Sequence, residues 1–204
     1  MPYISVKTTC MKKGRLEAFS DGVIAIIITI MVLELHVPHG DHVSDLAPML
    51  PVLFSYILSF VNVGIYWNNH HHMLYAADRI NGSVLWANLH LLFWLSIIPF
   101  ATAWMGENHF SKWPVILYGG VLLMNGLAYV ILSRLLINEA GADSPLAVAT
   151  GDDWKGSLSV AAYITAIGLA FIDPRYALAL YVIVAIMWFI PDRRIEKTVN
   201  KSGD

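Results

Sequence analysis

The chain has 204 residues, of which 57% are hydrophobic and only 14% are charged, with a formal net charge of -2. Soluble proteins average about 45–50% apolar and about 25% charged residues, so this composition excludes an ordinary soluble domain and predicts an integral membrane protein. A mean hydropathy of +0.59 agrees with that prediction. The sequence has no basic patch large enough for nucleic acid, and its single cysteine, Cys10, excludes an intrachain disulfide.

Six apolar stretches approach the roughly 20 residues that a helix needs to cross about 30 Å of hydrocarbon. They predict an all-α membrane protein with six transmembrane helices, at residues 19–35, 51–67, 84–104, 115–137, 158–172 and 176–190. The last two stretches are short and are separated by a tight turn at residues 173–175. An alternative is that they form one broken re-entrant element.

The chain is expected to divide into three parts, a cytoplasmic segment at 1–14, the transmembrane domain at 15–191 and a basic cytoplasmic tail at 192–204. Cytoplasmic loops retain Lys and Arg, and 11 of the 13 basic residues fall on one side of the layout, leaving Lys112 and Arg175 on the other. Both termini are therefore predicted to be cytoplasmic, in a multi-pass protein of the cell membrane. A cleaved signal peptide is not expected, because no small-residue cleavage site follows the first apolar run.

The first helix combines an apolar body with polar ends. Between residues 23 and 33 its only polar side chain is Thr29, but carboxylates flank this run at Glu17, Asp21 and Glu34. A carboxylate at membrane depth costs about 2.5–3.5 kcal/mol on insertion scales, so it is expected to face a protein interior or a watery cavity. Steps of three and four define one stripe along this helix, formed by Arg15, Phe19, Gly22, Ile26, Thr29, Leu33 and His36. The helix is predicted to line a cavity or pore, the alternative being that its apolar residues only pack within the subunit.

Histidines occur in two clusters, neither of which has the spacing of a metal site. His70, His71 and His72 are consecutive and point in three directions on a helix, so they cannot all bind one ion. His70 and His71 are interpreted, with Trp67 and Asn68, as polar groups at the cytoplasmic interface, one of which bonds the start of the first helix. The outer loop also carries His and Asp residues, but a proline and a glycine break their register: His36, His39, Asp41, His42 and Asp45. No metal site is therefore predicted.

The motifs of several functional classes are missing from the sequence. It has no G-x-S-x-G elbow, Walker loop or haem-attachment motif, and no catalytic pair at matched membrane depth, so it is not predicted to be an enzyme. It also lacks a T-V-G-Y-G filter and a ladder of voltage-sensing arginines. An ion conductor built from this chain would select ions without backbone carbonyls.

Two motifs nevertheless give the chain a resemblance to a known family. Arg15, Phe19, Ser20 and Asp21 form R-x-x-x-F-S-D at the start of the first helix, and residues 67–71 read W-N-N-H-H at the end of the second. This pattern resembles the prokaryotic members of the transmembrane-protein-175 potassium channel family. The resemblance implies a homotetramer in membrane lipid, with four first helices around a central pore, potassium as the permeant ion and no cofactor.

The resemblance also implies which residues line the pore. Five residues after the Asp of the motif, Ile26 would form the narrowest apolar ring, followed by Thr29 or Ile30 and then by Leu33. Such rings would gate and select cations, giving a potassium-selective, leak-like conductance with a hydrophobic gate.

The remaining motif residues are expected to act indirectly. Glu17 and Glu34 would attract cations at the two pore mouths. Residues that hold the pore helix in place, without binding ions, would be Arg15, Phe19, Ser20, Asp21, Trp67, His70 and His71. The additional His72 departs from the family pattern.

Two other classes of function stay open. One is a small secondary transporter or proton pathway with Asp21, His90 and Glu34 as titratable relays. The other is a membrane scaffold that transports nothing.

Overall fold

The structure is a computed structural model that describes residues 13–75, 80–141, 144, 147 and 154–189. Within these ranges the chain is all-helical, as predicted. A short 3-10 helix at Val43–Met49 precedes the second of six α-helices, which are α1 (Lys13–Leu33), α2 (Leu50–Tyr75), α3 (Gly82–Glu107), α4 (Lys112–Ala140), α5 (Trp154–Leu169) and α6 (Pro174–Phe189).

Four of these helices, α1 to α4, are long and apolar enough to cross a membrane. The other two have 16 residues each. At about 1.5 Å per residue they extend about 24 Å, less than the thickness of the hydrocarbon core. The prediction of spanning helices is thus confirmed by length and composition for four of the six. The last two form separate helices that pack against each other.

Local chemistry explains where two of the helix boundaries differ from the prediction. α2 continues two turns beyond Trp67 to Tyr75, and two contacts join these turns to other helices: His70 bonds Asn88 of α3, and the Tyr75 carbonyl accepts from Lys13 of α1. α5 ends before residue 170, since the chain must turn into Asp173. The Asp173 carboxylate accepts from the Arg175 backbone N–H at 2.9 Å, and Pro174 opens α6 at the position where its missing N–H costs nothing.

The core is centred on α3 and α4, which pack closely on each other. Their facing side chains, such as Leu91, Ile98, Leu122 and Leu132, are fully buried. α2 packs on α3, while α5 and α6 pack on α4. α1 packs on α2 and α3, away from α5 and α6, and so lies at one side of the subunit. The basic tail, Cys10, Arg79 and most of the predicted N-terminal segment lie outside the described residues.

Candidate pore helix and the contacts that hold it

α1 presents two faces with opposite surroundings. One face is packed against α2 and α3 and recurs at steps of three and four, as expected for a helix stripe that faces a core. The buried residues of this face are Leu16, Ser20, Ile24, Ile27 and Met31.

The stripe predicted to line a cavity lies on the exposed face. Ile26, Ile30 and Leu33 are 60%, 41% and 74% exposed, and Phe19 is 52% exposed. Thr29 is also exposed, and its hydroxyl donates to the Ala25 carbonyl at 2.9 Å. A single subunit therefore leaves an apolar strip along α1 uncovered, and in a membrane protein such a strip contacts either lipid or another subunit.

A buried chain of hydrogen bonds joins the start of α1 to α3 and α2. Asn88 Nδ2 donates to Ser20 Oγ at 2.9 Å, and Ser20 Oγ donates to the Leu16 carbonyl at 2.9 Å. Asn88 Oδ1 accepts from His70 Nε2 at 2.7 Å, which assigns the proton to that nitrogen because the amide oxygen only accepts. Ser20, His70 and Asn88 are almost completely buried, so each bond avoids the cost of an unpaired polar group in the core.

A second set of contacts lies on the exposed side of α2. Trp67 Nε1 donates to Asp21 Oδ1 at 3.0 Å. The His71 ring stacks against both Trp67 and Tyr75, with centroid distances of 6.2 Å and 6.5 Å. Lys13 Nζ donates to the Tyr75 carbonyl at 2.7 Å and lies 5.3 Å from the centroid of its ring, within the range of a cation–π contact. These aromatic rings therefore run beside the first two turns of α1.

The structure brings together some of the predicted motif residues and leaves others apart. Ser20 reaches His70 through Asn88, and Asp21 meets Trp67. The His71 ring instead stacks on Trp67 and Tyr75 of its own helix. Phe19 points away from the subunit core. The Arg15 side chain is exposed and bonds no other described residue.

Asn88 is the functional residue that sequence reasoning did not assign. It occupies the centre of the buried chain of bonds, although no motif includes it. The sequence does contain a chemical signal for this residue. An amide inside an apolar helix needs a hydrogen-bond partner, and Ser20 is a polar group of the first helix that also needs one. The depth and direction of the two side chains, which the sequence does not give, were required to pair them.

The predicted relay of titratable groups is not continuous. His90 accepts from Trp94 Nε1 at 3.0 Å, one turn further along the same helix. Asp21, in the third turn of α1, and Glu34, just beyond its last residue, are both exposed and lie about 20 Å apart along the helix axis. Glu17, which is half-buried, lies one turn before Asp21. The carboxylates thus flank the apolar part of the stripe, from Ile26 to Leu33, and none lies within it.

The outer loop does not gather its polar side chains around one point. His36 is within 3.0 Å of the Glu34 carbonyl, and Asp45 accepts from the His42 backbone N–H at 3.0 Å. Among the described residues, no three His, Cys, Asp or Glu side chains approach closely enough to hold a metal ion.

Comparison with known proteins shows which family the chain is similar to. The family described as the endosomal/lysosomal potassium channel TMEM175 matches residues 15–99. A potassium channel of Chryseobacterium sp. (strain P1-3) is 52% identical over 192 residues, which are 94% of this chain and 100% of that one. A potassium channel of Streptomyces collinus (strain DSM 40733 / Tue 365) is 31% identical over 191 residues, 87% of this chain and 91% of that one.

A solved structure extends the match to the fold. The crystal structure of a lysosomal potassium-selective channel TMEM175 homolog from Chamaesiphon Minutus superposes with a TM-score of 0.74 at 28% identity, covering 87% of this chain and 96% of that one. The chain is therefore not an enzyme. The family match begins at Arg15 of the R-x-x-x-F-S-D motif. Because relatives also align over most of the chain, the chain belongs to the TMEM175 potassium channel family.

Proposed function

We propose that this chain is one subunit of a homotetrameric potassium channel of the cell membrane, with α1 lining a central pore. The observation that carries the proposal is the uncovered apolar strip of α1, opposite the face that α1 buries in its own subunit. Closed rotational symmetry is the usual way in which identical subunits cover such a surface. The potassium specificity is supported by the relatives named as potassium channels.

In this arrangement Ile26, Ile30 and Leu33 form successive apolar rings around the axis. A cation passes such a ring only by losing part of its hydration shell or after the ring widens and becomes wet. Water is removed from potassium at lower cost than from the smaller sodium ion. A narrow apolar constriction therefore favours potassium, and Ile26 is the ring that we assign as gate and selectivity constriction.

Thr29 offers a partial replacement for the lost water. Its hydroxyl hydrogen is used in the bond to the Ala25 carbonyl, which leaves the oxygen lone pairs available as acceptors. Facing the axis one turn beyond Ile26, these oxygens would stabilise a partly dehydrated cation. Glu17 and Asp21 at one mouth and Glu34 at the other would raise the local cation concentration through their field.

The polar contacts of α1 have a structural role in this proposal. The bonds of Ser20 to Asn88 and of Asp21 to Trp67 fix the rotation of α1 about its own axis. That rotation decides whether Ile26 or its neighbours face the pore. Both termini are placed in the cytoplasm, and without a ladder of arginines the conductance is expected to be leak-like and not steeply voltage-dependent.

A secondary transporter or proton pathway is the less supported alternative. It would require a path between Asp21, His90 and Glu34, but the first and last lie about 20 Å apart along α1 and His90 is bonded to Trp94. Reconstituted protein distinguishes the two, because a channel gives unitary current steps and a transporter gives saturable, proton-coupled uptake.

The test of the gate uses two isoleucines of equal exposure. Ile26 is 60% exposed on α1, and Ile183 is 58% exposed on α6. In planar bilayers we expect Ile26→Asn to raise single-channel conductance several-fold and to lower the potassium-to-sodium permeability ratio. We expect Ile183→Asn to change neither. Unchanged selectivity in Ile26→Asn, or an equal change at Ile183, would contradict the assignment.

A further inference from the structure

A cavity lies between α2, α4, α5 and α6, on the side of the subunit away from α1. The centre of a water-sized sphere can occupy about 40 Å³ of it, and all its unfilled space, open mouth included, is about 490 Å³. A cavity needs about 10–15 Å³, measured in the first way, to hold one water molecule. The cavity therefore has room for a group larger than one water molecule.

The lining of this cavity is neutral. Tyrosine, asparagine and serine side chains contribute polar atoms, Ile65 and Val130 contribute apolar surface, and no lining residue carries a charge. An ion in such a site would lose its hydration without an opposite charge to replace it, which is costly. The only charge that the structure places against a lining residue is Lys155 Nζ, 5.9 Å from the centroid of the Trp188 ring, so within the described residues the site favours a neutral molecule over a cation.

Two hydroxyl groups in the lining lack a partner. Tyr66 and Tyr163 make no hydrogen bond to any other described residue, although Tyr163 is only 4% exposed. By contrast, the neighbouring Tyr181 donates to the Val115 carbonyl at 3.1 Å, and Trp188 Nε1 donates to Ser159 Oγ at 2.8 Å. Neither hydroxyl is fully enclosed, and Tyr66 is only half-buried, so both oxygens are accessible to a molecule that enters the cavity.

We propose that this cavity is a binding site for a small neutral amphiphile that carries a hydroxyl group, such as a simple phenol. The ligand hydroxyl bonds Tyr66 and Tyr163, while its ring lies against Ile65, Val130 and the indole of Trp188. This arrangement follows the general pattern of small-molecule sites, in which an apolar wall surrounds a few convergent polar groups.

The position of the site gives its occupant an influence on α1. Tyr66 lies one residue before Trp67, which bonds Asp21, and four residues before His70, which bonds Asn88. The same two turns of α2 thus carry the cavity wall on one face and the contacts of α1 on the other. The site itself lies within one subunit and does not depend on the proposed pore.

The experiment measures saturation transfer from purified, detergent-solubilised protein to phenol by NMR, with benzene as the probe that lacks the hydroxyl. We expect transfer to phenol to exceed transfer to benzene several-fold. Gly126→Val places methyl groups in the cavity, and Tyr163→Phe removes a hydroxyl without changing the ring. We expect both to reduce the phenol signal to the level given by benzene.

Matched controls exclude effects of the detergent and of misfolding. Gly120→Val lies on the same helix in open space, whereas a Cβ at Gly126 approaches Tyr66 Oη at 3.9 Å. Tyr176→Phe removes an exposed hydroxyl. Both controls should retain the phenol signal. Equal transfer to phenol and benzene, or equal phenol signals in all four variants, would overturn the proposal.

Discussion

At the scale of single residues, the polar side chains buried in the subunit differ in whether all their polar atoms have hydrogen-bond partners. The bonds from His70 through Asn88 and Ser20 to the Leu16 carbonyl give both the oxygen and the nitrogen of the Asn88 amide a partner. Asn125 differs, because its Oδ1 is the one fully enclosed side-chain atom without a partner in the described part of the chain. Two buried asparagines in neighbouring helices are therefore in opposite situations.

This difference predicts opposite outcomes for the same substitution. Asn88→Leu leaves Ser20 and His70 without their partner, and each unsatisfied buried group costs about 1–3 kcal/mol. We expect a clear loss of thermal stability, measured by the temperature at which the detergent-solubilised protein leaves its size-exclusion peak. Asn125→Leu removes an unpaired oxygen and should be neutral or stabilising. Equal losses in the two variants would show that the buried bonds have no special role.

At this scale the sequence predicts that the start of α1 needs hydrogen-bond partners on the second helix, and Trp67 is one of the residues that it indicates. It could not decide which histidine of the consecutive three faces inward. That choice depends on the rotation of α2 about its axis, and neither the apolar nor the polar residues of this helix determine that rotation. The structure buries His70 and leaves His71 and His72 exposed.

At the scale of the helix, α1 is apolar on nearly all sides, so its periodicity supports more than one stripe. Residues 23–33 alternate between buried and exposed positions that differ little in side-chain chemistry, as the neighbours Ile26 and Ile27 illustrate. Periodicity alone could therefore not assign a face, and the motif residues supplied the register. The prediction for the element as a whole was easier, because a long apolar run specifies a spanning helix regardless of its rotation.

The two isoleucines provide a direct test of the faces of α1. Ile27 is 3% exposed, and Ile27→Ala is expected to cost about 2–5 kcal/mol through lost packing and a residual cavity. Ile26→Ala removes the same atoms from the exposed face, so thermal stability should change by much less while conductance rises. Stability follows from the same size-exclusion melting assay, and conductance from planar bilayers. Equal stability losses in the two variants would contradict the assignment of faces.

At the scale of the whole molecule, the all-helical fold could be predicted from hydropathy and the family from two motifs. The assembly could not, because contacts between copies depend on surfaces that several helices form together. α5 and α6 illustrate a second limit. With 16 residues each they are about as long as the stretches predicted at 158–172 and 176–190, but shorter than the roughly 20 residues that a straight span needs.

The assembly is tested by mass and by proximity. In native mass spectrometry we expect a species of four times the subunit mass of 22.7 kDa. In a Cys10→Ser background, Leu33→Cys should be joined to a second subunit by a short bismaleimide, since the proposed axis brings its four copies together. Ile183→Cys, on an exposed face of α6, should remain uncrosslinked. The reverse pattern of crosslinking would place α1 on the outside of the assembly.

Among the residues that the structure describes, the hydrogen bonds that join α1 to other helices all involve residues between Lys13 and Asp21. Beyond Asp21, within the described residues, apolar packing alone attaches α1 to its subunit, and apolar surfaces slide without a specific bond to break. The part of α1 beyond Asp21 can therefore tilt about that residue. A tilt of about 5° would move Leu33 by about 1.6 Å and Ile26 by about 0.6 Å, so in the proposed channel the end of the pore at Leu33 would widen most.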